Sequence, residues 1–377
     1  MVRSSVKIHD DSSFLHKISQ ISWGFLGAIV LLACMGFVAL YSAGNGSFEP
    51  WASRQIIRFS AGFIVLLVVA FIDIRWWYRL AYPVYFAGLF LLVIVEGMGH
   101  IGMGAQRWIN LGFIQIQPSE FMKIAVVMAL AKYFHMASIE DMRHIRFLVP
   151  AALLILAPVG LVLLQPDLGT SLMIVMAGIA MLFLAGAPLM YFIIGGVAAV
   201  AAAPIGWMFM HEYQKKRVLT FLNPESDPLG SGYHIMQSKI ALGSGGIEGK
   251  GFMKGTQSHL NFLPEKQTDF IFTLWAEEWG LLGGVFLLLV VGVILGYGIR
   301  IAMRCRHAYG RLLAFGLTVN FSLYVFINTA MVMGLIPVVG APLPLVSYGG
   351  TSMLAVMVGF GLIQSCSVYR DGKLPRM

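Results

Sequence analysis

A short segment of this chain places three charged side chains where a long polar stretch meets an apolar run. Glu265, Lys266 and Asp269 lie in the segment 261–272, and the apolar run 270–300 begins within it. A charge at the edge of a membrane is costly and often functional, and a carboxylate there could accept a proton as a general base. The alternative is that the three residues only mark a membrane boundary, where charges are common.

A second polar set lies inside an apolar run further upstream. Glu120 and Lys123 are one helical turn apart, so both project from one face of the predicted helix 118–135. Because lipid would expel them, they must face the protein interior or a hydrated groove. Arg107 and Trp108 just precede this run. All four are candidates for binding a substrate, and the alternative for Glu120 and Lys123 is a structural ion pair.

Other motifs do not fit familiar sites. The glycine-rich segment 243–251 lacks the spacing of a Walker loop and of a dinucleotide fingerprint, which leaves a flexible turn or backbone N–H groups that could face an anion. His211 lacks the second histidine of a zinc motif, and Cys34, Cys305 and Cys366 show no disulfide framework or zinc spacing. We predict no metal site. The sequence indicates no cofactor, and it does not determine whether a divalent cation takes part.

The composition indicates an integral membrane protein. Of 377 residues, 58% are hydrophobic and 12% charged, and the mean hydropathy is +0.79. Soluble domains have roughly 25% charged residues. The net charge of +8 is spread between the apolar runs, which argues against a nucleic-acid partner.

Ten apolar runs of helical length predict an all-α membrane protein, since lipid leaves backbone groups few other partners. We expect a cytoplasmic N-terminal tail (1–20), a ten-helix membrane domain (21–368) and a cytoplasmic tail (369–377), with one large extracytoplasmic loop (211–268) between spans 7 and 8. The runs lie at 21–43, 56–73, 78–96, 118–135, 147–164, 169–186, 188–210, 270–300, 310–334 and 345–368.

Two features near the end of the chain predict architecture. The eighth run is long enough to tilt or break. Within it, Glu277 and Glu278 point about 100° apart, so we expect one to form a polar contact and the other to lie near the interface. The prolines and glycines of the segment 337–352 predict a rigid irregular outer loop followed by a closely packed tenth span.

The orientation follows from the basic residues of the short connecting segments. With the N-terminus inside, the outer short segments hold only Arg54, Arg58 and Arg107. The inner segments then hold Arg3, Lys7, Lys17, Arg75, Arg79, Lys132, Arg143, Arg146, Arg300, Arg304, Arg306, Arg311, Arg370, Lys373 and Arg376. Both termini are therefore expected in the cytoplasm and the loop 211–268 outside.

Three stretches of the sequence resemble the SEDS family of shape, elongation, division and sporulation proteins. They are Gln115 to Lys123, Tyr213 to Asp269, and Asn328 to Ser352, and the Ser347-Tyr348-Gly349-Gly350 signature in the last is specific. The similarity covers essentially the whole chain after its N-terminal tail. Thr351 stands where many members have serine, which is a conservative departure.

Two details resemble the elongation-type members of the family more than the division-type members. They are Pro342-Leu343-Pro344, and Gly255-Thr256-Gln257-Ser258 ahead of the Leu263-Pro264-Glu265 stretch. The resemblance implies a ten-span peptidoglycan glycosyltransferase of the bacterial cytoplasmic (inner) membrane. Such an enzyme polymerises lipid II into glycan strands at the outer face during cell elongation and rod-shape maintenance.

The resemblance also implies site residues and partners. The family's catalytic aspartate falls on Asp269, and the family's glutamate and lysine of the fourth span fall on Glu120 and Lys123. Lipid II, an undecaprenyl-diphosphate-linked disaccharide-peptide, would be the substrate, in surrounding membrane lipid. The implied protein partners are a class B penicillin-binding protein transpeptidase and the membrane proteins of the rod-shape complex.

The chemistry of this reaction fits the residues. A sugar hydroxyl attacks an anomeric carbon, and a polyprenyl diphosphate leaves as a stable anion. One carboxylate base with nearby cations would therefore suffice, whereas glycoside hydrolases need two carboxylates. Asp269 fits the base, because its unperturbed pKa of ~3.9 keeps it ionised at neutral pH. The expected substrate-binding residues are Glu120, Lys123, Arg107, Trp108, Lys239, Arg54 and Glu265.

Two other functions stay open. A lipid II flippase could line its path with Glu120 and Lys123, but it would give the outer Asp269 no role, and the chain shows no internal repeat of the transporter kind. A non-enzymatic scaffold of the cell-wall elongation complex is the third alternative. Purified protein with labelled lipid II in detergent separates them, because only a polymerase forms glycan strands there.

The topology predicts the accessibility of Ser226. In a variant without the three native cysteines, Ser226→Cys should react in intact spheroplasts with a membrane-impermeant thiol reagent, because the loop 211–268 is expected outside. A cysteine in place of Ser138, in the expected cytoplasmic segment between spans 4 and 5, is the matched control and should react only after lysis. Protection of the Cys at 226 until lysis would overturn the orientation.

Overall fold

The computed structural model describes residues 14–98, 100–102, 105–110, 115–138, 140–210, 212–227, 230–260, 262–263 and 265–375. Some residues singled out from the sequence lie outside these ranges. They are His211, Asn261, Pro264, and Arg3, Lys7 and Arg376 of the two tails.

The described part of the chain contains fourteen α-helices, three short strands and two 3-10 helices, Asp141–Arg143 and Pro224–Ser226. The helices are α1 Phe14–Gln20, α2 Trp23–Ala43, α3 Ala52–Phe71, α4 Ile74–Met98, α5 Pro118–His135, α6 Ile145–Leu164, α7 Leu168–Leu184, α8 Leu189–Phe209, α9 Glu212–Leu222, α10 Ser231–Gly245, α11 Thr256–His259, α12 Ile271–Arg304, α13 Ala308–Val332 and α14 Gly350–Val368. The strands are β1 His100–Gly102, β2 Ala105–Asn110 and β3 Gln115–Ile116.

Each of the ten predicted apolar runs coincides with a helix, α2 to α8 and α12 to α14. Eight of the described helices are long and apolar enough to cross a membrane. The other two are α7, which is apolar but has 17 residues, and α5, which carries Glu120, Lys123 and Lys132. The chain is therefore a helical membrane protein, as its composition predicts.

The centre of the bundle is formed by α5, α13 and α14, whose side chains are mostly buried. Helix α3 packs along α14, α4 packs on α5, and α12 lies against α2, α10 and α13. Helix α8 buries none of its side chains. A helix that is apolar all round and exposes its side chains in this way is suited to lipid.

A small antiparallel sheet precedes α5, and it was not predicted from the sequence. Strand β2 lies between β1 and β3, with His100 opposite Trp108 and Asn110 opposite Gln115. Strands β1 and β3 have only three and two residues, and the six residues of β2 do not alternate between apolar and polar. The last strand leads directly into α5, which starts at Pro118, where the missing N–H of proline removes no helical hydrogen bond.

Helix α12 breaks at Gly280, as the length of the eighth apolar run suggested. The φ of Gly280 is 63°, and a Cβ there would lie 2.3 Å from the Gly249 nitrogen. At this break the glycine-rich segment packs against the helix. The Lys250 and Gly251 N–H groups donate to the carbonyls of Glu277 and Glu278 at 3.1 and 3.0 Å. These N–H groups are paired with the chain itself, so they are not free to face an anion.

Both glutamates of α12 are buried, and both form the kind of polar contact that was expected for one of them. The Glu277 carboxylate accepts bonds from Lys250 Nζ at 2.8 Å, from the Gln257 N–H at 2.9 Å and from Ser258 Oγ at 2.8 Å. Glu278 contacts His259 Nε2 at 3.0 Å. These bonds fix α11 and the polar loop onto the first part of α12.

The break predicts different effects for two glycine substitutions in the same helix. Gly280→Ala should lower the free energy of unfolding by at least about 2 kcal/mol. Alanine would be strained at this positive φ, and its Cβ would also collide with neighbouring backbone atoms. Gly292→Ala is the matched control, since a Cβ at Gly292 meets nothing within 4 Å. Thermal unfolding in detergent measures both variants. Equal midpoints for the two would contradict the close packing of the glycine-rich segment on α12.

Candidate functional site

The backbone that carries Asp269 is held from three sides, just before the first residue of α12. The Gln267 carbonyl accepts a bond from the Tyr348 N–H at 2.8 Å. The Thr268 carbonyl accepts from Ser347 Oγ at 2.6 Å, and the Asp269 carbonyl accepts from Asn328 Nδ2 at 2.9 Å. Three successive carbonyls are thus satisfied by α13 and by the irregular segment before α14, which leaves the Asp269 side chain with a fixed origin.

The irregular segment 337–349 is itself anchored to the bundle. Asn328 uses the same amide group to donate to the Ala341 carbonyl at 2.7 Å. Gln55 on α3 donates to the Ser347 carbonyl at 2.8 Å. An added Cβ at Gly340 would come within 3.6 Å of Asp269 Oδ2, so the carboxylate faces this segment. The architecture expected from its prolines and glycines therefore serves to position Asp269.

The surroundings of Asp269 raise the pKa of its carboxyl group to about 6. Burial is the main cause, because it disfavours the charged form. The negative charge of Glu265 raises the pKa further, and the positive charge of Arg217 lowers it. A carboxyl group with this pKa is mostly ionised at neutral pH and is a stronger base than an ordinary aspartate.

Glu265 and Lys266 have different surroundings although they are neighbours. Glu265 is exposed and accepts a bond from Thr268 Oγ1 at 2.7 Å, within the turn that leads to Asp269. Lys266 is buried, and its Nζ donates to the Ser258 carbonyl at 2.9 Å. The structure therefore brings Glu265 to Asp269 and uses Lys266 to hold α11.

Two residues near Asp269 were not singled out from the sequence. Arg217 on α9 acts electrostatically on Asp269, and its Nη1 donates to the Val338 carbonyl at 3.2 Å. His234 on α10 packs against the Phe270 ring, and burial lowers its pKa. Both lie in the long loop, far from Asp269 in sequence, and only the basic charge of Arg217 could have suggested it.

The N-terminal part of α3 brings further positive charge near this site. The Arg58 guanidinium lies 4.6 Å from the centre of the Tyr348 ring, and the Tyr348 N–H binds the chain two residues before Asp269. Arg54 is exposed and one helical turn before Arg58, so both share one face of α3. Arg54 was predicted from the sequence as a substrate-binding residue, whereas Arg58 was used only to orient the chain.

Glu120 and Lys123 form a buried ion pair in α5. Lys123 Nζ lies 2.8 Å from Glu120 Oε1, and both side chains are almost wholly buried. Glu120 Oε2 accepts a bond from the Tyr324 hydroxyl, and Lys123 Nζ lies 4.1 Å from the centre of the Tyr324 ring. In this arrangement the charges are satisfied by each other and by Tyr324.

Helix α13 connects the buried pair to the Asp269 site. Tyr324 and Asn328 are four residues apart, so they lie on one face of α13 in successive turns. One holds Glu120, and the other holds the Asp269 backbone. The two polar sets that the sequence placed far apart are thus neighbours along one helix.

The remaining predicted residues lie elsewhere. Arg107 on β2 donates to the Gln165 carbonyl at 3.3 Å and lies 3.7 Å from Asp167, which caps the N-terminus of α7. Trp108 pairs with β1 in the sheet. Lys239 is exposed on α10, and its stem lies against Gly334. No hydrogen bond or ion pair joins these three to Asp269. Within the described ranges, no three His, Cys, Asp or Glu side chains cluster as metal ligands would.

Comparisons with known proteins agree with this architecture. The family model FTSW_RODA_SPOVE, described as cell cycle protein, matches residues 14–372. The chain is 44% identical over 346 residues to the peptidoglycan glycosyltransferase MrdB of Escherichia coli (strain K12), which covers 91% of this chain and 92% of that protein. It is 36% identical over 350 residues to stage V sporulation protein E of Bacillus subtilis (strain 168), covering 90% and 95%.

Solved structures show the same fold. One is a chain in the structure of a peptidoglycan synthase complex, described as showing the structural coordination of polymerization and crosslinking. It matches with a TM-score of 0.82 and 32% identity, and the match covers 94% of this chain and 99% of that one. The crystal structure of the Thermus thermophilus rod shape determining protein RodA matches with a TM-score of 0.71, 29% identity and coverage of 94% and 98%.

The buried pair predicts that Lys123→Met destabilises the protein by roughly 3–5 kcal/mol, because Glu120 is left charged and without its cation. Glu120→Gln in the same chain should restore most of this loss. Lys132→Met on the same helix is the matched control and should have a small effect, since Lys132 has no carboxylate partner in the described structure. The measurement is thermal unfolding beside lipid II polymerisation. Unchanged stability with lost polymerisation would show that Lys123 binds the substrate instead.

Proposed function

This chain belongs to the FTSW_RODA_SPOVE family of cell cycle proteins, and we propose that it is a peptidoglycan glycosyltransferase with Asp269 as its general base. The activity rests on 44% identity over 91% of the chain to a protein of that name. The assignment of the base rests on two properties of Asp269. Asp269 is the carboxylate whose backbone is fixed by three carbonyl bonds and whose pKa lies at about 6.

In the proposed reaction the acceptor hydroxyl of one lipid II molecule or strand attacks the anomeric carbon of another. A C–O bond forms to the acceptor oxygen, and the C–O bond to the diphosphate breaks. Asp269 takes the proton of the acceptor hydroxyl, and the polyprenyl diphosphate leaves as an anion. A raised pKa suits this role, because a base that binds its proton more tightly assists the attack more strongly.

Positive charge near Asp269 would stabilise the departing diphosphate. Arg217, Arg58 and Arg54 are the candidates that lie on elements around the site. Hydrogen bonds from guanidinium groups to phosphate are strong because both partners are charged. Lys239, Arg107 and Trp108 would bind the substrate only at a distance from Asp269. Glu120 and Lys123 lie against the buried face of α13 and would act on the substrate from there.

The placement of the chain in the membrane follows the same proposal. The apolar helices and the family place it as a multi-pass protein of the inner membrane. We infer ten spans, α2 to α8 and α12 to α14, with both termini in the cytoplasm. The loop 211–268 then lies outside, so Asp269 meets substrate sugars in water while the lipid tail stays in the bilayer. Helix α8, which buries no side chain, offers an apolar surface for that tail.

The proposed partner is a class B penicillin-binding protein transpeptidase of the rod-shape complex, active in cell elongation. This proposal is supported by the similarity to a chain of a peptidoglycan synthase complex that coordinates polymerization and crosslinking. Joining strands as they form requires both activities in one place. Lipid II is the substrate that polymerisation implies.

Asp269→Asn should abolish strand formation from lipid II by purified protein, with a loss of at least about 10²–10⁴-fold, because asparagine cannot accept the proton. The fold should be retained, since burial disfavours the charge that is removed. Asp269→Glu should restore little activity, because its carboxylate is displaced by one methylene group. Asp227→Asn in the same loop is the matched control for loss of one negative charge, and it should stay active.

Electrophoresis of strands made in detergent is the measurement. Strand formation by Asp269→Asn near the wild-type rate would remove Asp269 as the base. Absence of strands from the wild-type protein would instead favour a flippase or a scaffold.

A further inference from the structure

A cavity of about 290 Å³ opens at the end of the bundle where α12 and α14 terminate. It lies between the turn that joins α1 to α2, the last turns of α12, and the residues around the end of α14. We call it the arginine pocket. Its volume is close to the lower end of the roughly 300–1,000 Å³ of small-ligand sites. Its polar lining residues include Ser19, Ser22, Arg300, Arg304, Ser367 and Arg370.

Three arginines from two parts of the chain converge on this volume. Arg300 and Arg304 are four residues apart and share one face of α12. Arg370 follows α14, and its carbonyl accepts a bond from the Arg306 N–H at 3.1 Å, which ties the end of α14 to the end of α12. Like charges around one volume repel each other, and an anion placed between them relieves this repulsion.

The negative side chains nearby pair with only one of the three arginines, Arg370. Asp371 lies 3.0 Å from Arg306 and 3.5 Å from Arg370, and it does not line the cavity. Among the described residues, Arg300 and Arg304 form no ion pair, and no aspartate or glutamate lines the cavity. The positive charges of Arg300 and Arg304 therefore have no carboxylate partner in the described part of the chain.

The wall of the pocket is tied together, which separates it from arginines that merely mark a membrane boundary. Gln364 on α14 donates to the Ser22 carbonyl at 3.0 Å and accepts from the Ser22 N–H at 3.1 Å. Ser367 Oγ donates to the Gln20 carbonyl at 2.9 Å. The Ser22 hydroxyl forms no capping bond with α2. Ser22 thus lines the pocket on a turn that hydrogen bonds hold in place.

We propose that the arginine pocket binds a phosphate group, either the phosphodiester of an anionic phospholipid or a soluble phosphate. The guanidinium fork pairs well with phosphate oxygens. Basic pockets at the ends of membrane helices are suited to phospholipid headgroups. This site is separate from Asp269, so it does not depend on the proposed function.

The test uses the purified full chain in nanodiscs, and native mass spectrometry counts the bound phospholipid. In phosphatidylcholine with phosphatidylglycerol, the wild-type protein should retain phosphatidylglycerol. The triple variant Arg300→Gln/Arg304→Gln/Arg370→Gln should bind it at least about tenfold more weakly. The matched control is Arg143→Gln/Arg146→Gln/Arg311→Gln, which removes the same charge from exposed arginines outside the pocket. It should bind like the wild type.

A second arm identifies the source of the phosphate. Inorganic phosphate added to nanodiscs of phosphatidylcholine alone should raise the midpoint of thermal unfolding of the wild type only if the pocket takes a soluble phosphate. Equal binding of phosphatidylglycerol by the wild type and both triple variants, with no phosphate effect, overturns the site. Equal weakening in the pocket and control variants also overturns it, because total charge would then explain the binding.

Thermal unfolding in phosphatidylcholine alone checks that the triple variant is folded, since neither protein then has an anionic ligand. If that variant unfolds, Arg304→Lys replaces it. It keeps the charge and loses the guanidinium fork, so it should bind phosphatidylglycerol more weakly than the wild type. Binding equal to the wild type by a folded Arg304→Lys variant would contradict the proposed role of the fork.

Discussion

Three consecutive backbone carbonyls, at Gln267, Thr268 and Asp269, must find hydrogen-bond donors where the chain enters the membrane, because an unpaired buried carbonyl is costly. They find them in Tyr348, Ser347 and Asn328. The donors belong to α13 and to the segment before α14, so the proposed base is fixed only when the last two helices have packed. The same bonds explain why prolines and glycines of that segment matter for a residue distant in sequence.

The charged side chains near this point differ in how deeply they are buried and in how they are paired. Deep in the bundle, Glu120 and Lys123 form an ion pair, and the Tyr324 hydroxyl donates a hydrogen bond to Glu120. One turn along α13, Asn328 holds the backbone of a carboxylate that is only partly covered. Around that carboxylate, Glu265 and Arg217 act on its pKa in opposite directions. The balance of burial and charge holds the pKa of this carboxyl group at about 6, which suits the proposed role of Asp269 as a base at neutral pH.

The sequence predicted the helices well because hydrophobic runs of about 20 residues leave few alternatives in lipid. The family resemblance implied the catalytic role of Asp269, which stays a prediction. The sequence did not reveal Arg217 and His234, because the packing of α9 and α10 brings them to the site and no spacing encodes that packing. It also missed the sheet that holds Arg107, because the strands show no alternation of apolar and polar residues. It could not show that Glu277 and Glu278 would both be buried.

The most direct test of this account is the pH dependence of strand formation by the wild-type protein and two variants. For the wild type, kcat/KM should fall at acidic pH with a midpoint at about 6, as the Asp269 carboxylate becomes protonated. Glu265→Gln removes a negative charge that raises the pKa of Asp269, so the midpoint should move to lower pH. Arg217→Gln removes a positive charge that lowers the pKa of Asp269, so the midpoint should move to higher pH. A midpoint that stays in place in both variants would contradict Asp269 as the titrating base.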